Sequence, residues 1–218
     1  MSTTTMRFWN NVPEAKAAIA ANKNSFFNFC RKNGILTEKI IQLGKIGGHK
    51  IYHLEGSALD HTILVWLAVQ KLQKGEGGKT CPMLEKAGLL AQKLAVLHDI
   101  AKLEGVCHGE DDWEYPNHSV IGSMPEYLSQ FCPSESKNSM MTWLIRNHMR
   151  ALFWKNSQEL ASWWKVEGNK LSDSAKEILN PQMLVEFSMA DIQGSFPVDQ
   201  EGWNRDYNRL MTLDEFQY

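Results

Sequence analysis

Along nearly every long segment of the chain, apolar residues recur at i, i+3, i+4 and i+7, while strict apolar/polar alternation is hardly sustained anywhere. That periodicity predicts a mostly helical protein. An amphipathic stretch over 24–34 ends at Gly34, in the manner of a helix C-cap. The segment IIQLGKIGGHKIYHLEG (40–56) is rich in glycine and β-branched residues and predicts a loop or short hairpin near the N-terminus. Ser57 and Asp60 form a capping pair for a helix running to about Lys74, where GEGGK (75–79) breaks it. The next helix is expected from near Pro82 to Gly105. The pattern vanishes over 106–119, a loop in which Glu110, Asp111 and Asp112 stand beside Trp113. Helices are expected again around 136–155 and from Asn180-Pro181, an N-cap followed by proline at the first helical position, to Gly194. The remainder, 196–218, is polar and aromatic and reads as a tail packed on the core.

Composition narrows the class. With 218 residues, 43% hydrophobic and 22% charged, the chain suits one soluble globular domain. It divides into an N-terminal extension (1–49), a core (50–195) and the tail. No apolar run approaches the roughly 18 residues of a membrane span, and MSTTTMRFWNNVPEAK lacks the make-up of a secretory signal. A cytoplasmic protein with no membrane partner is expected. Cys30, Cys81, Cys107 and Cys132 show no CxxC pairing, which argues against a disulfide scaffold and a zinc ribbon. A net charge of −2 gives no general attraction to nucleic acid.

The chemistry emerges when the polar residues are placed on the helices. His61 shares a face with Val65, Ala68 and Leu72; His98 with Ala91, Leu94 and Ala101; His148 with Met141, Leu144, Ile145 and Leu152; Asp191 with Leu184 and Phe187. A single histidine on an apolar face is more often a satisfied core residue, but a buried carboxylate is costly unless paired or metal-bound. Four helices aiming imidazole and carboxylate at one interior point to a metal. The donor set suits divalent Mn, Fe, Co, Ni or Mg, and it contains no thiolate of the kind structural zinc favours. Adjacent His98 and Asp99 lie about 100° apart around a helix, so they cannot share one helical face, yet both can reach an ion sitting over the helix.

The set His61, His98-Asp99 and Asp191 resembles the signature of the HD superfamily of metal-dependent phosphohydrolases. The likeness covers roughly 50–195 through HLEGSALDHTILVW (53–66), LAVLHDIAK (94–102), NHSVIGS (117–123), RNHM (146–149) and FSMADIQGS (187–195), in the family's order. The wording is nearest to HD domains attached to bacterial CCA-adding tRNA nucleotidyltransferases. The nucleotidyltransferase domain's Gly-Ser turn with paired aspartates has no counterpart ahead of the HD region, so CCA addition is not expected. Pro125, soon after His118 and Gly122, predicts a helix shortened or restarted there.

The resemblance implies an all-α HD-domain helical bundle holding one or two divalent ions per chain. It implies a primary shell of His61, His98, Asp99 and Asp191, with His118 and His148 either binding a second ion or contacting phosphate. The implied activity is that of a phosphohydrolase or phosphodiesterase, hydrolysing a phosphoester of a nucleotide or cyclic nucleotide by metal-activated water. Asp99 and Lys102 are the expected catalytic residues, and Lys102, one turn past His98, is near enough to bind an anionic substrate. Arg146 and Arg150, spaced i, i+4 around His148, are expected to bind phosphate at the rim, with Trp154 one turn further to meet a base; a solvated basic face has the same spacing. The loop 106–117 and this rim are the expected specificity surface. Two other readings stay open: an RNA-end enzyme removing a 2′,3′-cyclic or terminal phosphate, and a non-catalytic metal-containing nucleotide-binding module.

Overall fold

The structure is a computed structural model and describes residues 7–47, 53–76, 80–107 and 113–214. It is an all-α helical bundle; among the described residues the only sheet is a two-stranded ribbon. Helix α1 (Val12–Lys32) starts further upstream than the amphipathic pattern predicts. The Asn11 side chain caps it by accepting from Glu14 N, and the Ala-rich first half is a good helix former even though it buries only Ala15 and Ile19. A one-turn helix α2 (Thr37–Ile40) precedes the predicted loop or short hairpin, whose first residues form a 3₁₀ turn (Ile41–Lys45) and whose residues 48–52 lie outside the described residues. Two isolated bridges, Gly47 to Ser57 and His53 to Phe196, then lead into the core.

Helix α3 (Ala58–Gln73) is the central element, closed at its start by a reciprocal capping box between Ser57 and Asp60. Eleven of its sixteen residues are buried, because α1, α5 and α12 pack on different sides of it. The predicted single helix from Pro82 to Gly105 is broken twice. Gly88, at φ 51°, separates α4 (Pro82–Ala87) from α5 (Leu89–Leu97), and a 3₁₀ turn (Ile100–Glu104) follows after His98-Asp99. The ribbon pairs β1 (Val106–Cys107) with β2 (Trp113–Glu114). Glu110, Asp111 and Asp112 lie outside the described residues. Helix α6 (His118–Gly122) is short and α7 (Pro125–Leu128) restarts at Pro125, as the proline predicts.

The predicted helix at 136–155 is likewise interrupted, into α8 (Ser139–Asn147) and α9 (Arg150–Phe153), with His148 at the break. Helix α10 (Ser157–Glu167), the one-turn α11 (Asp173–Lys176) and α12 (Pro181–Gln193) follow. Asn180 caps α12 as expected, and twelve of its thirteen residues are buried. The tail forms a helix, α13 (Gln200–Asp214), lying against α12 and α9. Trp203 Nε1 donates to Ile192 O at 2.7 Å. The Arg209 guanidinium donates to the carbonyls of Ala151, Leu152 and Trp154, fastening the end of α9 to the tail. No helix among the described residues is long and apolar enough to cross a membrane.

Candidate metal centre and its cavity

The two helix breaks build the centre. Helix α5 closes at His98, which keeps helical angles and still donates its N–H to Leu94 O at 2.8 Å, and the change of backbone direction at Asp99 (φ −108°, ψ 11°) then brings both side chains to one point. Helix α8 stops one residue before His148 in the same way. Helix ends leave carbonyls without intrahelical partners. Each imidazole turns back onto the carbonyl three residues earlier: His98 Nδ1 to Ala95 O at 3.0 Å, His148 Nδ1 to Ile145 O at 2.7 Å and His118 Nδ1 to Tyr115 O at 3.1 Å. A carbonyl only accepts, so each Nδ1 carries the proton and each Nε2 is left with its lone pair facing forward.

Those three Nε2 atoms are buried and have no hydrogen-bond partner. They converge on Asp99. His98 Nε2 is 3.2 Å from Asp99 Oδ2, while His118 Nε2 and His148 Nε2 are 3.3 and 3.9 Å from Oδ1. On the Oδ2 side, His61 Nε2 is 3.7 Å from Asp99 and 3.0 Å from Asp191 Oδ1, itself 3.8 Å from His98 Nε2. Asp99 thus stands between two donor groups, His61, His98 and Asp191 on one oxygen, His118 and His148 on the other. Adjacent ligands each ~2.1 Å from a shared ion lie about 3 Å apart, which is the spacing seen here. Among the described residues three sets, His53-Glu55-His61, His61-His98-Asp99 and Asp99-His118-His148, have donor atoms within 4.8 Å of one another and could each hold a metal ion; the last two share Asp99. The orphaned imidazole lone pairs fit such an ion, because a buried acceptor without a partner is costly.

All six expected ligands therefore meet at one place. Burial lowers the His148 pKa to about 3, with the nearby His98 adding to it, so this ring is neutral and ready to coordinate. Burial alone would also lower His61, but its bonds to Asp191 and Glu55 outweigh it and push the value up to about 10. Asp99 and Asp191 are held well below the usual carboxylate range: burial opposes this, and neighbouring imidazoles prevail at both, with Lys102 assisting at Asp99. Lys102 Nζ is 2.6 Å from Asp99 Oδ2 and lines the cavity beside the centre, where it was expected.

Two residues of the centre escaped the sequence reading. Glu55 is fully buried, receives His53 Nδ1 at 2.7 Å and lies 3.3 Å from His61 Nδ1, so it orients the first ligand ring from behind. Those bonds overcome burial and bring its pKa down to about 2. Its other oxygen accepts from Phe196 N at 3.0 Å. The signal was the H-x-E spacing in HLEG, which on an extended segment puts both side chains on one side. Gly194 completes the support. A Cβ there would sit 2.7 Å from Val65 Cγ2 and 2.9 Å from Val65 N, so only glycine lets the end of α12 approach α3 this closely. Its carbonyl lies 3.4 Å from His61 Nδ1.

The centre opens into a cavity of about 870 Å³. Beyond the ligands its walls come from Met149, Leu152 and Phe153 at α9 and from Trp203, Arg205 and Asp206 on α13. Arg146 and Arg150, expected at the rim, are exposed and are not among the residues that line it; they flank the break that carries His148. Trp154 is buried and packs on Trp163 with ring centroids 5.1 Å apart, so it does not meet a ligand in the cavity. The arginine in the cavity wall is Arg205, from the tail. Of the expected specificity loop, Glu114, Tyr115 and Pro116 reach the cavity, and 108–112 lie outside the described residues. The chain matches no protein-family model, no curated protein and no solved structure.

Proposed function

We propose that the protein is a metal-dependent phosphohydrolase of the HD type. The observation that carries this reading is the placement of Asp99 between two imidazole groups whose buried Nε2 atoms lack partners, at the end of a cavity sized for an organic ligand. A divalent ion held there supplies Lewis acidity toward a phosphoryl oxygen and makes water acidic enough to ionise near neutral pH. Mn, Fe, Co, Ni and Mg suit the donors, and His61, His98, Asp99, His118, His148 and Asp191 would hold one ion or two.

The chain's own residues do the rest. Asp99 and Asp191 put negative charge opposite the imidazoles, and the backbone carbonyls behind three rings fix their tautomers. Lys102, its ammonium on Asp99 at the cavity wall, is positioned to attract the phosphate. Met149, Leu152 and Phe153 exclude water from the side facing the organic group. Glu114, Asp199 and Asp206 line the same cavity, which disfavours a polyanionic RNA end as substrate.

The test is direct. The purified protein is expected to contain or tightly bind a divalent transition metal, and to hydrolyse a member of a panel of mono-, di-, tri- and cyclic nucleotides and short RNAs. Asp99→Ala should abolish both metal retention and turnover while the far-ultraviolet circular dichroism of the bundle persists. Absence of metal by elemental analysis, together with full activity of Asp99→Ala under Mn, Co, Ni and Mg, would overturn the reading.

A further inference from the structure

The cavity is asymmetric in charge and in apolar surface. Its deep end holds the ligand carboxylates and imidazoles with Lys102, whose ammonium is already committed to Asp99 at 2.6 Å. Nearer solvent, Arg205 is the one other lysine or arginine among its described lining residues, and it faces Asp199 at 3.5 Å. Glu114, Asp199 and Asp206 share that wall, with Arg209 standing 3.3 Å behind Asp206. A substrate with a second or third phosphate would place it among these carboxylates, where both cations among the described lining residues are already paired, Lys102 with Asp99 and Arg205 with Asp199. The apolar part of the wall is equally selective. Trp203 is buried, with Arg7 3.8 Å from its ring centroid and Tyr207 stacked on its ring, so little of it is left for a ligand. Phe153, by contrast, is 69% exposed and lines the cavity beside Leu152 and Met149, so these three apolar side chains form one strip of wall. Arg209, bonded to the carbonyls of Ala151, Leu152 and Trp154, holds that strip of wall against α13.

We infer that this cavity selects a phosphoester with a single phosphate on a flat, uncharged, largely apolar body, which lies against Phe153 while the acidic mouth turns away di- and triphosphates. The inference rests on the phosphohydrolase reading and names the substrate class for that site. Exposed Phe153 is replaceable without loss of fold, and asparagine keeps the cap that Asp199 provides to Gly202 N.

With the Mn-loaded protein, kcat/KM is measured for naphthyl phosphate, methyl phosphate and one nucleoside carried as mono-, di- and triphosphate. Binding of a non-hydrolysable naphthyl phosphonate is followed in parallel by calorimetry. The monophosphate should exceed the triphosphate by about tenfold or more, and the double variant Asp199→Asn, Asp206→Asn should narrow that gap several-fold. Phe153→Ala should raise KM for naphthyl phosphate about tenfold relative to methyl phosphate, and weaken phosphonate binding to match. Hydrolysis that favours the triphosphate, or that is indifferent to Phe153 and the two aspartates, overturns the substrate class and leaves the hydrolase standing. Phe153-dependent phosphonate binding without hydrolysis of any phosphoester overturns the hydrolase reading and leaves the ligand class. Neither binding nor hydrolysis overturns both.

Discussion

His98, His118 and His148 share one local device, a ring closed onto the carbonyl three residues back, and His61 differs from them. Its Nδ1 faces Glu55 and its Nε2 faces Asp191, so in the metal-free protein it holds a proton up to about pH 10. An ion taking Nε2 must displace that proton. Metal binding between pH 7 and 9 is therefore expected to release about one proton, and affinity to rise with pH across this range. Calorimetry in two buffers of different ionisation enthalpy counts the protons; a count of zero would show that His61 is no ligand. Glu55→Gln keeps the shape but removes the charge behind the ring, and a change of this kind typically weakens metal binding about 10–100-fold. His118→Ala and His148→Ala should lower turnover; if both keep full activity and only melt differently, they are core histidines.

At the scale of elements, the close approach of α12 to α3 at Gly194 sets the distance between Asp191 and His61. Gly194→Ala drives a methyl into Val65, whose backbone N cannot yield, so the ends must separate. Overpacking of this sort costs about 1–3 kcal/mol, and metal affinity should fall along with the melting temperature. Ser57→Ala removes half of a capping box on the same helix α3, costs about 1 kcal/mol, and should leave metal affinity alone. A melting curve and a metal titration on both variants separate support of the site from support of the helix.

The helices that carry ligands were readable because their apolar stripes are long and regular: α3 and α12 run between the caps that Ser57 and Asn180 announce. The breaks at His98 and His148 were not readable, since neither glycine nor proline marks them. What ends α5 and α8 there is tertiary: His98 packs on His148 and both rings meet Phe187 of α12. The doublet's 100° problem is solved by that break, a solution that helical geometry alone does not contain. The tail's helical pattern was diluted by polar residues, so Arg205 was missed and the exposed Arg146 and Arg150 stood in its place.

For the whole molecule, the centre gathers residues from 55 to 191 around buried carboxylates and three imidazoles whose Nε2 atoms lack partners, a cost that a bound ion would relieve. Loading should raise the melting temperature, by about 4 kcal/mol of stability at a free metal concentration a thousand times Kd. Removal by a chelator should reverse it. The metal-free protein should also be acid-sensitive. His148, lowered to about 3, and Glu55, lowered to about 2, bind protons more readily unfolded than folded. Their contribution is full above about pH 6.5 and falls progressively toward pH 2. His61 has the opposite sign, contributing below about pH 6.5 and losing that contribution as pH rises through about 10. A calorimetric pH series on the metal-free protein should give a stability maximum near pH 6.5, falling on the acid side through His148 and Glu55 and on the alkaline side through His61; a melting temperature that keeps rising as pH drops below 5 would contradict these assignments.

Glu55 bonds the ring of His61 with one oxygen and the backbone of Phe196, at the entrance to the α13 wall, with the other. The first ligand and the cavity's tail-side wall are thus hinged on a single carboxylate. An organic ligand that settles the wall is expected to settle the ring as well, which would link the two occupancies thermodynamically. Linkage is reciprocal: the factor by which a bound phosphonate tightens the metal must equal the factor by which the metal tightens the phosphonate. Glu55→Gln, which loosens the hinge without touching the wall's lining, should shrink that shared factor toward one in both titrations.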